Sequence, residues 1–453
     1  MMMISRRYAG PALCVAMAVT LVVWGCTQGD NPVDPPLLAP GAPSTQILGF
    51  PVLENNPWND PTGRILSVAY ASGTSLDVPQ PPFPVLYLLH DYGSDGKYFE
   101  RYNIQSILED LYRKGEIGRM LVVTVDASNA FGGSYYRNSL ASGQYADLIM
   151  SVVRHVEQTF RVYTQGGRSS RAISGHGMGG YGAMRFAMDR PDLFASVSSM
   201  SGPLSFGGSD GRSGVLNWTT EVFRENHVPD SAFNTIYPGL GKRFTNQIIA
   251  MAVAFSPRPL EKLVSPTQTR FDSCQLCLPK YKGACLPKNP WEYYYCKPCS
   301  LYESVDPGPA TLQFPTLQKK RLCSDSLHRN PAPIGIDLPF DSSGQRSDLV
   351  WAKWEAQDVK SLFELNPHVF DSTAVYLDCG DADEWGFLDQ NLGLLQAMKT
   401  AGQSHFNDST WVWEQYSGFG GVAAGHSQLV QERLREILKF HDKHFRHSPG
   451  PQP

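Results

Sequence analysis

Arg171-Ala-Ile-Ser-Gly-His-Gly-Met-Gly-Gly-Tyr-Gly-Ala-Met184 holds a strand, a sharp turn and the start of a helix. Arg171–Ser174 reads as the strand. Met178–Met188 reads as the helix, opened by the small residues Gly179, Gly180, Gly182 and Ala183. Between them, Gly175-His-Gly-Met-Gly179 keeps the Gly-x-Ser-x-Gly spacing. In that motif a strained turn lifts the middle side chain above a sheet to attack a carbonyl carbon. The middle residue here is Gly177, which has no side chain.

Outward from this turn, apolar runs alternate with helical stripes. Ile65–Tyr70 alternates weakly and reads as an edge strand. Val85–Leu89 and Leu121–Val125 are continuous β-rich runs, the pattern of strands buried on both faces. Ile104–Lys114 and Tyr145–Phe160 read as helices. Ser196–Met200 is the next strand. After a long interruption at 203–370 come strand Ala374–Leu377, helix Asp389–Thr400, strand Thr410–Glu414 and a last helix, Ser427–Phe445. Such alternation implies a mostly parallel sheet flanked by helices, an α/β class. Inside the interruption, Leu349–Glu364 reads as one helix, with Trp351 and Trp354 facing the core.

The elbow run, with Arg190-Pro-Asp-Leu-Phe-Ala-Ser196 and Ser201-Gly202, resembles the esterase D group of α/β-hydrolases. That group includes S-formylglutathione hydrolases, feruloyl esterases, enterochelin esterases and mycolyltransferases. The resemblance covers roughly residues 60–205 and 365–446. It implies an α/β-hydrolase fold in which 203–370 is a cap. It also implies a catalytic acid after Tyr376-Leu-Asp-Cys-Gly380, where Asp383 sits, with Asp381 and Glu384 as rivals. His426 takes the histidine position, giving the order nucleophile, acid, base. Backbone N–H groups near Asp91 and Tyr92, with that of Met178, are the implied oxyanion hole. The family has glycine after the histidine of its Leu-Leu-His-Gly turn; this chain has Asp91 after His90.

Glycine at 177 removes the hydroxyl that would form an acyl-enzyme. It also adopts freely a strained backbone that costs other residues about 1–3 kcal/mol. Ser174 is no substitute, because it lies inside the strand. The resemblance therefore implies a carboxylic ester hydrolase or acyltransferase by descent, inactive or very weak as written. Two alternatives stand beside it: a non-catalytic ligand-binding pseudoenzyme, or an interaction protein working through its cysteines. Gly177→Ser alone is expected to restore turnover, the elbow glycines leaving room for the hydroxyl. No cofactor or active-site metal is expected. The expected partner is a small-molecule or glycan-linked ester.

Six of the nine cysteines fall together: Cys274, Cys277, Cys285, Cys296, Cys299 and Cys323. Three disulfides are the expected state in an oxidising compartment. A zinc site of Cys274, Cys277, Cys296 and Cys299 is the competing reading. About 259–330 reads as an insert in the cap. Cys379 reads as inert core.

The N-terminus has the look of an export signal. Arg6 and Arg7 precede an apolar run, Ala12–Trp24, followed by Gly25-Cys26. Residues 1–26 read as a signal peptide with a lipobox, lipidated at Cys26 and tethering the protein to a membrane. Residues 27–45 read as a flexible linker, 46–446 as the catalytic-type domain and 447–453 as a disordered tail. The expected place is the bacterial cell envelope, as an outer-membrane lipoprotein. A net charge of -4 gives no footprint for nucleic acid.

Overall fold

The computed structural model describes residues 44–48, 64–70, 82–129, 131–139, 142–160, 162–211, 214–226, 241–259, 334–341, 344–402, 410–418 and 423–448. The leader, Cys26, the linker as far as residue 43 and the six clustered cysteines lie outside them.

In chain order the strands are β1 (Ser44–Leu48), β2 (Arg64–Tyr70), β3 (Val85–Leu89), β4 (Leu121–Val125), β5 (Asn138–Ser139), β6 (Gly143–Gln144), β7 (Arg171–His176), β8 (Ser196–Met200), β9 (Pro257–Pro259), β10 (Ile334–Ile336), β11 (Ala374–Gly380) and β12 (Trp411–Tyr416). The α-helices are α1 (Ile104–Arg113), α2 (Tyr145–Thr159), α3 (Met178–Asp189), α4 (Trp218–Glu225), α5 (Arg243–Phe255), α6 (Asp348–Glu355), α7 (Val359–Leu365), α8 (Phe387–Thr400) and α9 (Val430–His444). Eight strands form one sheet in the order β1-β2-β4-β3-β7-β8-β11-β12. The pairings from β4 to β12 are parallel; β1–β2 and β2–β4 are antiparallel. The edge assigned to Ile65–Tyr70 belongs instead to β1, which pairs outside β2 with Ile47 opposite Ile65. β1 thus takes in Ser44 and Thr45, which the sequence reading gave to the linker.

Period-two alternation sorts the strand residues onto two cores. Val85, Tyr87 and Leu89 of β3, with Leu121, Val123 and Val125 of β4, join α2, α3, α8 and the cap on one face. Leu86, Leu88 and Val122 join α1 and α9 on the other. Burial on both faces explains why these strands read as unbroken apolar runs. β8, Ser196-Val-Ser-Ser-Met200, is buried throughout despite three serines. His441 answers two of them, through Nδ1 to Ser196 Oγ (2.8 Å) and Nε2 to Ser198 Oγ (2.9 Å), so those two buried hydroxyls are partnered. Ser174 bonds Ser198 at 2.6 Å, well inside the sheet.

The single helix expected over Leu349–Glu364 is two. Asp358 breaks it by capping α7: its carboxylate accepts from the Ser361 N–H (2.9 Å) and also from that of Phe206 (2.7 Å). An aspartate satisfying a helix-start donor is favoured over continuing through it. Trp351 and Trp354 are buried, as core residues. The ends of the insert meet: β9 and β10 pair antiparallel, Pro259 opposite Ile334. His447, within the stretch read as tail, pairs with Asp442 at 3.1 Å.

Candidate active site

The elbow is built as its spacing requires. β7 ends at His176, Gly177 takes φ 52° and ψ -114°, and α3 starts at Met178. The Gly177 N–H bonds the Met200 carbonyl at 2.8 Å, fixing the turn to β8. Helix and strand approach so closely that a β-carbon on Gly179 would lie 2.0 Å from the Leu89 carbonyl oxygen. Only glycine fits there.

The loops after β11 and before α9 bring the acid and the histidine together. His426 Nδ1 lies 2.7 Å from Asp383 Oδ2. The other Asp383 oxygen accepts from the N–H groups of Trp385 (3.0 Å) and Phe387 (3.3 Å), at the start of α8. The acid is therefore held by a helix N-terminus, where negative charge is favoured. Its rivals serve the backbone instead. Asp381 accepts from the Ala424 N–H, and Glu384 from the His426 N–H (2.8 Å). Cys379 is buried, with Sγ 3.7 Å from Asp383.

Asp91 fills the space left by the missing serine. Its Oδ1 accepts the N–H groups of Tyr92 (2.7 Å) and Met178 (2.9 Å). Its Oδ2 lies 3.0 Å from His426 Nε2. One carboxylate thus sits where a substrate oxyanion would be held, and also where a serine hydroxyl would meet its base. The Met178 and Tyr92 N–H groups, expected as oxyanion donors, both meet the Asp91 side chain, which is their acceptor. Nor is there room beside Gly177. A β-carbon added there would lie 1.9 Å from Asp91 Oδ1 and 2.9 Å from His426 Nε2. The expectation that a serine would simply fit is corrected by that contact.

Charge follows geometry. Burial alone would raise the Asp91 carboxyl, but the charge and hydrogen bond of His426 bring it down to about 2. Burial alone would lower His426, yet Asp91 and Asp383 hold it up at about 10. At neutral pH the pair is an imidazolium clamped between two carboxylates, so no free base is present. His176 goes the other way. Burial, then the nearby His426 charge, push it down to about 3, so it is neutral. Its Nε2 faces the His426 carbonyl (3.0 Å) and its Nδ1 the Tyr98 hydroxyl (2.7 Å). Arg433, wholly buried on α9, donates to the same carbonyl (3.0 Å), to Ser201 Oγ (2.9 Å) and to Asp378. It ties the histidine loop to the sheet.

Sequence reasoning placed Gly177, Asp383, His426, Met178 and Tyr92 here. It missed the side-chain role of Asp91, and it missed His176, Tyr98 and Arg433. For Asp91 the signal was present. The chain departs from the family pattern twice, losing a side chain at 177 and gaining one at 91.

A mostly parallel sheet with an elbow after β7, an acid after β11 and a histidine before α9 defines an α/β-hydrolase. Within that class the chain belongs to the family described as "Putative esterase", whose model matches residues 77–427. Esterase Rv1288 of Mycobacterium tuberculosis (strain ATCC 25618 / H37Rv) is 30% identical over 160 residues. That match takes in 34% of this chain and 32% of the relative, so the chain spans about a third of that protein's length. Among solved structures, a ferulic acid esterase is 18% identical with a TM-score of 0.45, covering 89% of this chain and 98% of its own. An S-formylglutathione hydrolase from Staphylococcus aureus is 13% identical with a TM-score of 0.44, covering 88% and 98%.

Proposed function

We propose that this protein is an exported, self-latched member of the esterase family that binds ester or acid ligands without turning them over at serine-esterase rates. The observation that carries the reading is the Asp91 carboxylate. It occupies both Met178 and Tyr92 N–H groups and engages His426 Nε2. With the nucleophile absent, the oxyanion hole filled and the base protonated, none of the three catalytic elements is available.

A place for a ligand remains. A cavity of about 690 Å³ lies beside the Asp383–Phe387 loop, with Trp218, Phe244, Trp385, Arg243, Glu384 and Asp389 in its wall. Aromatic faces among polar groups suit a ring-bearing ligand, an aromatic acid or a sugar. Trp385 packs between this cavity and His426, its ring centroid 6.5 Å from the imidazole.

The test uses short-chain p-nitrophenyl esters with four proteins: the chain as it stands, Gly177→Ser, Asp91→Gly, and both changes together. The first three are expected to stay near background. The double variant is expected to gain at least about 10³-fold, the scale of restoring a nucleophile. Ordinary esterase turnover by the unaltered chain would overturn the reading. For the tether, Cys26→Ser is expected to move the protein from membrane to soluble envelope fractions. Unchanged partitioning would argue against lipidation.

A further inference from the structure

Three possible metal-ligating atoms, one carboxylate oxygen and two imidazole nitrogens, converge beside Gly177. His176 Nε2 faces a carbonyl, which only accepts, so that nitrogen carries the proton and Nδ1 keeps its lone pair. His426 Nδ1 faces the Asp383 carboxylate and keeps its proton there, while Nε2, facing Asp91, is the outward nitrogen and releases its proton to solvent when a cation takes that proton's place. Asp91 spends Oδ1 on two backbone N–H groups and turns Oδ2 toward both imidazoles. Oδ2 is 3.0 Å from His426 Nε2 and 3.7 Å from His176 Nδ1. All three donor atoms lie within 4.8 Å of one another.

We propose that Asp91 Oδ2, His176 Nδ1 and His426 Nε2 form a binding site for a divalent transition-metal ion of the zinc class. An ion at about 2.0–2.2 Å from each donor bridges donors roughly 3–4 Å apart. Both separations involving Oδ2 fall in that range, and the two imidazole nitrogens lie within 4.8 Å of each other. Two imidazoles and one carboxylate suit zinc, iron(II), cobalt or nickel better than magnesium or calcium.

The surrounding shell is what a metal site requires. Each ligand's other polar atom is already engaged: Asp383 on His426, the His426 carbonyl on His176, and backbone N–H groups on Asp91. Such partners fix tautomer and ring orientation. Arg433 lies close, but it is paired with Asp378 and does not stand as a lone opposing charge. Tyr98 would release Nδ1 and keep its 3.4 Å contact with the Tyr102 hydroxyl. The two histidines are buried, whereas the Asp91 side chain is 13% exposed, so an ion enters from the Asp91 side. The site shares with the functional reading the turn of Asp91 toward His426. It does not depend on the absence of turnover.

The experiment titrates chelator-stripped full-length protein with Co²⁺ at neutral pH, followed by visible absorption. One Co²⁺ per chain with the ligand-field bands of a nitrogen/oxygen set is expected. Asp91→Asn, a near-isosteric change, is expected to weaken it at least about 10-fold, and Asp383→Asn comparably. His176→Gln should do the same, with circular dichroism as the check on its fold. Zn²⁺ should raise the melting temperature of the parent and leave that of Asp91→Asn unmoved. Serine at Cys274 and Cys277 should leave the nitrogen/oxygen bands intact. No such bands, or bands and affinity unchanged in Asp91→Asn, would overturn the site. A thiolate-to-cobalt band lost only with the cysteines would do so as well. Ester turnover by metal-free parent protein would sink the functional reading and leave this one standing.

Discussion

The two halves of the site have diverged. On the acid–histidine side, Asp383, His426, the helix start beneath the acid and the Arg433 anchor form a complete, fully hydrogen-bonded unit. On the nucleophile side, the backbone is kept to the detail of a positive φ at Gly177, but its side chain is gone and a neighbour has moved in. Backbone geometry is held in place by the sheet, because β7 must still turn over Met200 and meet α3. A side chain at the tip of the turn has no such duty. Chemistry can therefore be lost there while the fold around it persists.

The largest effect should come from testing whether the intact half still functions. In the Gly177→Ser/Asp91→Gly variant, Asp383→Asn is expected to remove about 10³–10⁴-fold of the restored kcat, because the histidine loses its tautomer control. A fall of less than tenfold would mean that the acid–histidine half is also only a relic. Arg433 comes next. Arg433→Met should cost about 3–5 kcal/mol in denaturant unfolding, since it strands a buried carboxylate. Adding Asp378→Leu should return part of that loss. Equal stability of Arg433→Met and parent would remove the anchor from the account.

A smaller effect separates the halves by charge. His426 is raised from 6.5 to about 10 and Asp91 lowered from 3.8 to about 2. The His426 contribution is complete below 6.5 and fades as pH climbs through about 10. The Asp91 contribution is complete above 3.8 and fades as pH falls through about 2. The stability advantage over Asp91→Asn should thus be flat between about pH 4 and 6.5 and shrink beyond both ends. Imidazole NMR should find His426 protonated at pH 7 in the parent and titrating lower in Asp91→Asn. A neutral His426 in the parent would break the latch. The smallest effect is expected in the cavity, where Trp385→Ala should weaken an aromatic-acid ligand by about 1 kcal/mol by calorimetry.

The sheet was largely legible beforehand because two-sided burial writes itself as unbroken apolar runs in β3 and β4, which have the limits read from sequence, as does the serine-bearing β8. The elbow was legible because close helix–strand packing demands glycines at set places. What stayed hidden depended on through-space neighbours. Asp358 splitting a helix is a local polar signal overridden in the reading by the Trp351–Trp354 stripe. The Asp91 latch joins residues 86 positions from Gly177, and only folding shows that one fills the vacancy of the other. Arg433 lies on a charge-rich helix, and only folding brings it to its partner Asp378 at the heart of the sheet.

The pairing of Pro259 with Ile334 gives the molecule a built-in splice point. The chain departs for residues 260–333 and comes back one strand spacing away, so the rest of the fold is indifferent to how long the excursion is. The closure cost grows only with the logarithm of its length, about 0.6 kcal/mol per doubling. A short turn, or another cassette altogether, can be exchanged at this hairpin without moving the sheet.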